Sequence, residues 1–217
     1  MTKLTLVIGN KNYSSWSLRP WLAMKQLSLD FDEVSIALYT PESPAKIRSY
    51  SPSGKVPVLI HAPLTVWDSQ AICEYLAEQF PLLHWWPEDK TARAIARSVS
   101  AEMHSGFQNL RQSMPMNCRA RLPGKGMTSG VQKDIDRITA IWRDCRRNFG
   151  TGGNMLFGEF TIADAMFAPV VLRFITYNVN LDPAAREYAE AILALAAMQE
   201  WLKATETETE TIPNFEV

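Results

Sequence analysis

The chain has 217 residues, 47% of them apolar, and a formal net charge of −1 from 22 basic and 23 acidic side chains. This balance gives no reason to expect non-specific attraction to phosphate, so nucleic acid is not an expected partner. No apolar run approaches the roughly 20 residues of a membrane-spanning helix, and the first apolar run is too short for a signal peptide, so a soluble protein without a membrane partner is expected.

The cysteines and histidines do not have the spacing of a metal site. Cys73, Cys118 and Cys145 lie far apart without a CxxC pair, which predicts free thiols in a reducing cytoplasm rather than a disulfide framework or a zinc site. His61, His84 and His104 show no ligand spacing either, and no role is predicted for them. We therefore expect a cytoplasmic protein without a metal.

The first eighty residues mix strand and helix patterns. Four apolar or alternating runs predict strands: KLTLVIG, DEVSIAL, VPVLIH and LTVW. Two stretches with helical spacing predict helices: SLRPWLAMKQL and DSQAICEYLAEQF. The order is β, α, β, a poorly defined turn or helix, then β, β, α, which predicts a small sheet with helices packed on it and a crossover between the first two strands.

Beyond Pro81 the pattern becomes helical. The segment WWPED indicates a linker, and RLPGKGMTSG and FGTGGN indicate Gly-containing loops. Between these segments the periodicity predicts four helices, over Lys90–Met114, Ser129–Asn148, Thr161–Val179 and Pro183–Ala204.

These elements predict an α/β domain followed by an all-α domain. We place the α/β domain at 1–80, a linker at 81–90 and the helical domain at 91–204. The remaining residues, 205–217, include the acidic alternation TETETETIPNFEV, which offers no apolar face, so a mobile tail is predicted.

The segment NYSSWSLRPW places Ser14 and Ser15 where a strand gives way to a helix. A serine there normally caps the helix by accepting a backbone N–H, which contributes about 1 kcal/mol. Pro20 fits the first turn if the helix begins near Ser17, which leaves both serines in the preceding loop. A hydroxyl in that loop can also donate to an anion, such as a ligand thiolate, at the positive end of the helix dipole.

The segment SPSGKVPVLI combines a turn, a cation and a proline at the start of a strand. Gly54 permits the turn, Lys55 supplies the cation, and Pro57 need not donate to the strand ladder. A trans proline is the ordinary expectation, since only about 5–6% of X-Pro bonds are cis. A cis bond would turn the backbone of Val56 outward, where its N–H and C=O can pair with an extended peptide.

The segment WDSQAICEYL places Asp68 and Ser69 at the start of a helix. Either side chain can cap that helix, which is the commoner role for such residues. The same pair can also face the ammonium or carboxylate of a ligand.

Together and in this order, these motifs resemble those of the cytosolic glutathione transferase family over nearly the whole chain. YSSWSLRPWLAMKQLSLDFDEV is similar to the family's first loop and helix, SPSGKVPVLI to its cis-proline turn, and WDSQAICEYL to its acidic-Ser-x-Ala-Ile-x-x-Tyr-Leu helix. FGEFTIADAMFAPV resembles the family's capping box, in which Thr161 caps a helix and Asp164 accepts the Thr161 N–H. The resemblance implies a thioredoxin-like N-terminal domain, an all-helical C-terminal domain, glutathione as co-substrate and a homodimer.

The resemblance also implies a catalytic residue. Ser14 falls where the serine-type classes hold the thiol-activating hydroxyl, and SSWS is similar to the SSCS start of the zeta class; Ser15 is the lesser candidate. A hydrogen bond to a charged acceptor is worth roughly 1.5–3 kcal/mol, which lowers a thiol pKa near 8.5 by about one to two units. That shift ionises a large fraction of the sulfur at neutral pH.

The other glutathione contacts follow in the same way. Val56, fixed by Pro57, would pair with the cysteinyl backbone, Lys55 would lie near the glycyl carboxylate, and Asp68 with Ser69 would hold the γ-glutamyl end. Two features depart from the family pattern: Asp68 is shorter than the usual Glu or Gln, and Trp16 replaces the zeta-class cysteine, which disfavours that class's isomerase activity.

The electrophile site is the least defined. Trp16, Met103 and Phe107, with Met114 and Met116, are candidates to line an apolar cleft between the domains, although core packing is the commoner fate of such residues. Arg111, Arg119 and Arg121 form a basic cluster in the sequence that either is a solvated face or attracts a carboxylated substrate.

The predicted function is a glutathione S-transferase that activates the glutathione thiol for attack on a small hydrophobic electrophile. Glutathione-dependent isomerisation and peroxide reduction remain alternatives. A catalytically silent binding or regulatory protein of the same fold is the alternative outside enzymes. A thiol oxidoreductase is disfavoured because no cysteine occupies the first loop.

Overall fold

The computed structural model describes residues 3–216 as a sheet-containing region followed by a helical region. The first region comprises β1 (Leu4–Gly9), α1 (Ser15–Gln26), β2 (Phe31–Ile36), α2 (Ser43–Tyr50), β3 (Val58–His61), β4 (Leu64–Trp67) and α3 (Ser69–Gln79). The second comprises α4 (Lys90–Ser105), α5 (Gln108–Ser113), α6 (Ser129–Phe149), α7 (Ile162–Thr176), α8 (Pro183–Ala194) and α9 (Ala196–Thr205). No helix within the described range is long and apolar enough to cross a membrane.

The predicted combination of an α/β part and an all-helical part is confirmed, and the poorly defined segment after β2 is the helix α2. The domain boundaries given above remain predictions. The residues Met1, Thr2 and Val217, which those boundaries include, lie outside the described residues.

The sheet has the strand order β2-β1-β3-β4. β1 is parallel to β2 across the α1 crossover and antiparallel to β3, which is antiparallel to β4. Alternation along β1 fills both faces, because Leu6 and Ile8 join the main core whereas Val7 packs in a separate cluster with Ile47 of α2. The main core continues without a break into the helical region.

Helix α1 begins at Ser15, so the prediction of a start near Ser17 is wrong, and Pro20 lies inside the helix. Nine of its residues are buried, and the helix packs against α3 on one side and α7 of the helical region on the other. The burial of these nine residues offsets the loss of the backbone hydrogen bond that Pro20 cannot donate.

Two of the four predicted long helices are divided. The predicted helix Lys90–Met114 is broken between α4 and α5, where Phe107 has a φ of 61° and a Cβ on Gly106 would lie 2.8 Å from the Glu102 carbonyl oxygen. The predicted helix Pro183–Ala204 is broken at Leu195, which has extended dihedrals. In both places a local change of backbone direction lets the next helix pack on the core.

The start of α7 has the predicted capping arrangement. The Asp164 carboxylate accepts the backbone N–H of Thr161 at 2.8 Å, and the Thr161 hydroxyl donates to the same oxygen at 3.1 Å. The second Asp164 oxygen accepts the Leu156 N–H at 3.0 Å. Asp164 therefore joins the preceding loop to the first turn of a buried helix.

The segment after α9 differs from the predicted mobile tail. Ile212 is 3% exposed, and the Glu208 carboxylate accepts the backbone N–H groups of Lys11 and Asn12. The expectation that this segment has nothing to bury is therefore wrong, since both an apolar side chain and a carboxylate find partners in the domains.

Candidate functional site

A cleft of about 540 Å³ lies between the sheet-containing region and the helical region. The sheet-containing region contributes Tyr13, Ser14, Ser15, Trp16, Leu38, Tyr39, Ser43, Pro44, Ile47, Gly54, Lys55 and Val56. The other wall consists of Arg111, Pro115, Arg173 and Phe215. A larger cavity of about 810 Å³, between α7 and α8, contains none of the predicted glutathione contacts.

Both serines of the first loop reach the cleft, but their hydroxyl groups have different partners. The Ser14 Oγ donates to the Ser17 Oγ at 2.7 Å, and Ser17 also accepts the Gly9 N–H at 3.1 Å. The Ser15 Oγ accepts from Arg173 Nη2 at 3.2 Å. Within residues 3–216 no acceptor takes the Ser15 hydroxyl proton, so this proton is available to a ligand.

The N-terminus of α1 faces the cleft without a side-chain cap. Ser14 occupies the N-cap position, but its hydroxyl accepts no backbone N–H of the first turn. The capping interpretation of these serines is therefore wrong. An uncapped first turn keeps unpaired N–H groups and the positive end of the helix dipole available to an anion.

The turn before β3 provides backbone groups for an extended ligand. The Val56–Pro57 peptide bond is cis, and Lys55 and Val56 line the cleft whereas Pro57 is buried behind them. Among the described residues, neither the N–H nor the C=O of Val56 has a hydrogen-bond partner. This geometry suits pairing with a peptide backbone.

Two arginines form the positive side of the cleft. Arg173 is 4% exposed, and its guanidinium donates to the Met114 carbonyl at 2.9 Å as well as to Ser15. Arg111 donates to the carbonyls at the end of α4, including Gly106 at 2.9 Å. Burial lowers the pKa of Arg111, and burial together with the neighbouring Arg111 charge lowers the pKa of Arg173 to about 9. No carboxylate forms an ion pair with either arginine in the described part of the chain.

A third arginine lies beneath Trp16. The Arg19 guanidinium is 4.3 Å from the centre of the Trp16 ring, and Arg111 is 4.7 Å from the same ring. Arg19 is fully buried, and none of its three side-chain nitrogens has a hydrogen-bond partner among residues 3–216. Burial and the two neighbouring arginines lower its pKa well below the ordinary value. The cleft is therefore strongly biased toward anions.

Asp68 and Ser69 do not line the cleft. Asp68 caps α3 by accepting from the backbone of Gln70 at 2.9 Å and Ala71 at 3.2 Å, so the capping interpretation is confirmed for Asp68. Its other oxygen lies 3.0 Å from Nε2 of His104, whose ring packs against Trp16 at 5.3 Å. Ser69 is buried, and its hydroxyl has no partner in the described part of the chain. His104 thus links Asp68 to Trp16, which lines the cleft.

Other predicted residues lie elsewhere. Met103 is fully buried and Phe107 is 8% exposed, and both belong to the core, as do Met114 and Met116. Arg111 faces the cleft, but Arg119 donates to carbonyls of the C-terminal segment and Arg121 to the carbonyls of Cys118 and Ala120. The three arginines therefore do not form one basic cluster.

The protein's own thiols are unsuited to nucleophilic chemistry. Cys73, Cys118 and Cys145 are free and buried, and burial raises the pKa of each to about 12. A thiolate is the reactive form of a cysteine, so these residues are inert near neutral pH. In residues 3–216, no group of His, Cys, Asp and Glu side chains could hold a metal ion.

Comparison with known proteins shows the family of the chain. The family model for the glutathione S-transferase N-terminal domain matches residues 13–79. Over 196 residues the chain is 30% identical to maleylacetoacetate isomerase of Rattus norvegicus, which covers 85% of each chain. The chain belongs to the glutathione S-transferase family. A probable maleylacetoacetate isomerase of Caenorhabditis elegans is 28% identical over 172 residues, covering 78% of each chain.

A solved structure of another protein shares the fold of this chain over nearly its whole length. A glutathione transferase homologue from a Burkholderia, crystallised with bound glutathione, has a TM-score of 0.72 and 24% identity, and the match covers 95% of this chain and all of that one. The glutathione transferase fold is therefore confirmed.

Residues that the sequence motifs do not single out at the site include Arg173, His104 and Phe215. Arg173 stands in the apolar helix IADAMFAPVVLRFIT, where a lone cation on a buried face is the signal of a functional charge. No sequence pattern indicates a role for His104, because only the folded chain brings it to Asp68. Phe215 lies in the segment expected to be mobile.

Proposed function

We propose that this protein binds reduced glutathione in the cleft, stabilises its sulfur as a thiolate at the N-terminus of α1, and directs the thiolate at a small electrophile. The observation that supports the proposal best is that two serines line the cleft at an uncapped helix N-terminus. The thiol proton leaves to solvent, since the lowered pKa makes the anion the stable form at neutral pH.

The two hydroxyls would act from different starting positions. Arg173 donates to the Ser15 oxygen, which polarises the O–H bond and strengthens it as a donor to sulfur. Ser14 must turn its proton from Ser17 to the sulfur, an exchange that is favourable because a charged acceptor binds a donor more strongly than a neutral hydroxyl does. Arg19, Arg111 and Arg173 further favour the anion.

The remainder of glutathione would extend in both directions from the sulfur. The Val56 N–H and C=O would pair with the cysteinyl backbone, and Lys55 would attract the glycyl carboxylate. The γ-glutamyl end would pass Trp16 toward Asp68 and Ser69, which places a carboxylate acceptor and an unpartnered hydroxyl at its charged groups.

Single serine substitutions test this assignment by the pKa of bound glutathione, followed by the ultraviolet absorbance of the thiolate. Ser15→Ala is expected to raise that pKa by about one to two units, the equivalent of one charged hydrogen bond. Ser14→Ala is expected to raise it by about one unit. The effect is smaller because the unaltered Ser14 gives up its bond to Ser17 when it binds the sulfur, so its net contribution is smaller. Ser98→Ala, on the exposed face of α4, is the control; an unchanged pKa in both active-site variants would contradict the proposal.

The electrophile is proposed to carry a negative charge. Arg111 and Arg173 face the cleft without a carboxylate partner among the residues described, and one thiolate leaves part of this positive charge uncompensated. Conjugation is the leading reaction. Glutathione-dependent isomerisation is the second candidate, favoured by the two isomerase relatives and disfavoured by the tryptophan at position 16.

A matched pair of electrophiles tests this charge preference. A chloronitrobenzoate and its methyl ester share one reactive carbon and differ in charge. Arg111→Gln is expected to lower the ratio of kcat/KM for the acid over the ester roughly tenfold, the loss of one charge-assisted hydrogen bond, and Arg111→Lys is expected to lower it less. Arg97→Gln, at an exposed site away from the cleft, is the control. An unaltered ratio in Arg111→Gln would remove the anionic preference.

A homodimer and a cytoplasmic location complete the proposal. Leu64 and Trp67 of β4 are each 46% exposed and Ile95 of α4 is 38% exposed, which supplies apolar surface for a second copy. The three free cysteines suit a reducing compartment.

A catalytically silent binding protein is the alternative, and absence of glutathione binding at millimolar concentration in calorimetry would favour it.

A further inference from the structure

The chain's last segment returns to the cleft. We call residues 206–216 the C-terminal strap. Its first anchor is Glu208, whose carboxylate accepts the backbone N–H of Lys11 at 2.5 Å and of Asn12 at 2.9 Å. These residues belong to the loop between β1 and α1, and only Tyr13 separates them from Ser14. The strap is thus fixed to the loop that leads into the two serines.

Further contacts hold the end of the strap. The Asn117 side-chain amide donates to the Phe215 carbonyl and to the Glu216 carboxylate, both at 3.1 Å. The Tyr13 hydroxyl also donates to the Glu216 carboxylate. Arg119 donates to the Glu210 carbonyl at 3.0 Å. These bonds join the strap to both regions of the protein.

The anchors place one apolar side chain of the strap in the wall of the cleft. The Phe215 ring lies edge-on to Tyr13 at 5.6 Å and 6.0 Å from Tyr39, and all three rings line the cleft. Tyr39 is 71% exposed, so this aromatic group stands at the mouth. The three rings line the same cleft as Ser14 and Ser15, the two residues that would hold the sulfur.

We propose that Phe215 determines specificity for the second substrate by contacting the group that becomes bonded to the glutathione sulfur. This inference rests on the proposed function. An aromatic ring recognises an apolar or aromatic group by area burial and edge contacts. Phe215 and the two arginines on the same wall, Arg111 and Arg173, together favour an electrophile that has an aromatic or apolar part and an anionic part.

Thioether derivatives of glutathione test the contact without requiring turnover. Calorimetry would compare the Kd values of glutathione, S-methylglutathione and S-benzylglutathione for the full-length protein and its variants. Phe215→Ala is expected to weaken S-benzylglutathione about 3- to 10-fold and to leave the other two Kd values within twofold. Phe215→Leu, which keeps an apolar side chain, is expected to show a smaller loss. Asn214→Ala, at the exposed neighbouring position, is the control and should change none of the three.

The possible outcomes separate this inference from the proposal beneath it. Equal losses for all three ligands would mean that Phe215 contacts the peptide, and no loss for S-benzylglutathione would mean that it contacts neither; both results overturn the inference while leaving glutathione binding intact. If the unaltered protein binds none of the three ligands, the proposed function fails and the inference fails with it.

Discussion

Two buried charges in this protein have opposite surroundings. Asp164, at the start of α7, is fully buried, and its two oxygens accept three hydrogen bonds. Arg19, in α1, is equally buried, and its guanidinium nitrogens have no hydrogen-bond partner among the described residues. Two further arginines, Arg111 and Arg173, add like charge to its surroundings.

The difference separates a buried carboxyl group whose hydrogen bonds join parts of the fold from a buried charge that the fold tolerates. Removing a buried polar group that satisfies its neighbours costs stability, whereas a buried charge without partners itself lowers stability. Arg19 lies behind a cleft that would receive a thiolate. A guanidinium without a hydrogen-bond partner in the described residues is consistent with a site that binds an anion. The comparison predicts that substitutions at the two positions change the free energy of unfolding in opposite directions.

The largest effect is expected at Asp164. Asp164→Ala leaves the N–H groups of Leu156 and Thr161 without their acceptor inside the core, so we expect the free energy of unfolding to fall by about 3–5 kcal/mol. Urea unfolding followed by tryptophan fluorescence measures this loss. A loss below about 1 kcal/mol would show that the loop and α7 do not depend on the carboxylate.

The pH dependence of stability provides the control for Asp164. Burial raises its pKa from 3.8 to about 6, so between these values the folded state binds more protons than the unfolded state. The contribution of Asp164 to stability therefore falls as pH rises from about 4 to about 6 and is constant above. Asp164→Asn, which does not titrate, should lack this component of the unfolding curve, and an identical pH profile in both proteins would contradict the assignment.

A smaller effect, of opposite sign, is expected at Arg19. Arg19→Met keeps an unbranched chain and removes the unpartnered charge, although it also removes the stacking on Trp16, so we expect the free energy of unfolding to rise by about 1 kcal/mol. The same variant should raise the pKa of bound glutathione, because one cation behind the thiolate is lost. A variant that is less stable than the parent, with an unchanged thiol pKa, would make Arg19 a structural residue.

The sequence predicts the order of the elements better than their ends. Alternation and helical spacing are local, and they predicted all four strands and α1, α3 and α6. The start of α1 depends on tertiary burial that overrides the proline rule at Pro20, and it was therefore misplaced. The break before Phe107 had a local signal in Gly106, a residue common at helix ends, but helical periodicity on both sides concealed it.

The same limit applies to the cleft. The motifs predicted Ser14, Ser15, Trp16, Lys55 and Val56, which meet there because they lie at the start of α1 and in the turn before β3 of one sheet-containing region. Arg173 and Phe215 lie 158 and 200 residues beyond Ser15 in the chain, and only packing of α7 and the strap brings them in. Met103 and Phe107 have the side chains of an apolar site, but composition does not distinguish a cleft wall from a core.

The burial of the three cysteines has a practical consequence for experiments on this protein. With pKa values near 12, their sulfur atoms neither absorb as thiolates nor react with alkylating reagents at physiological pH. Any ionised sulfur detected when the folded chain is mixed with a thiol ligand consequently belongs to that ligand, because the protein's own cysteines contribute no thiolate signal.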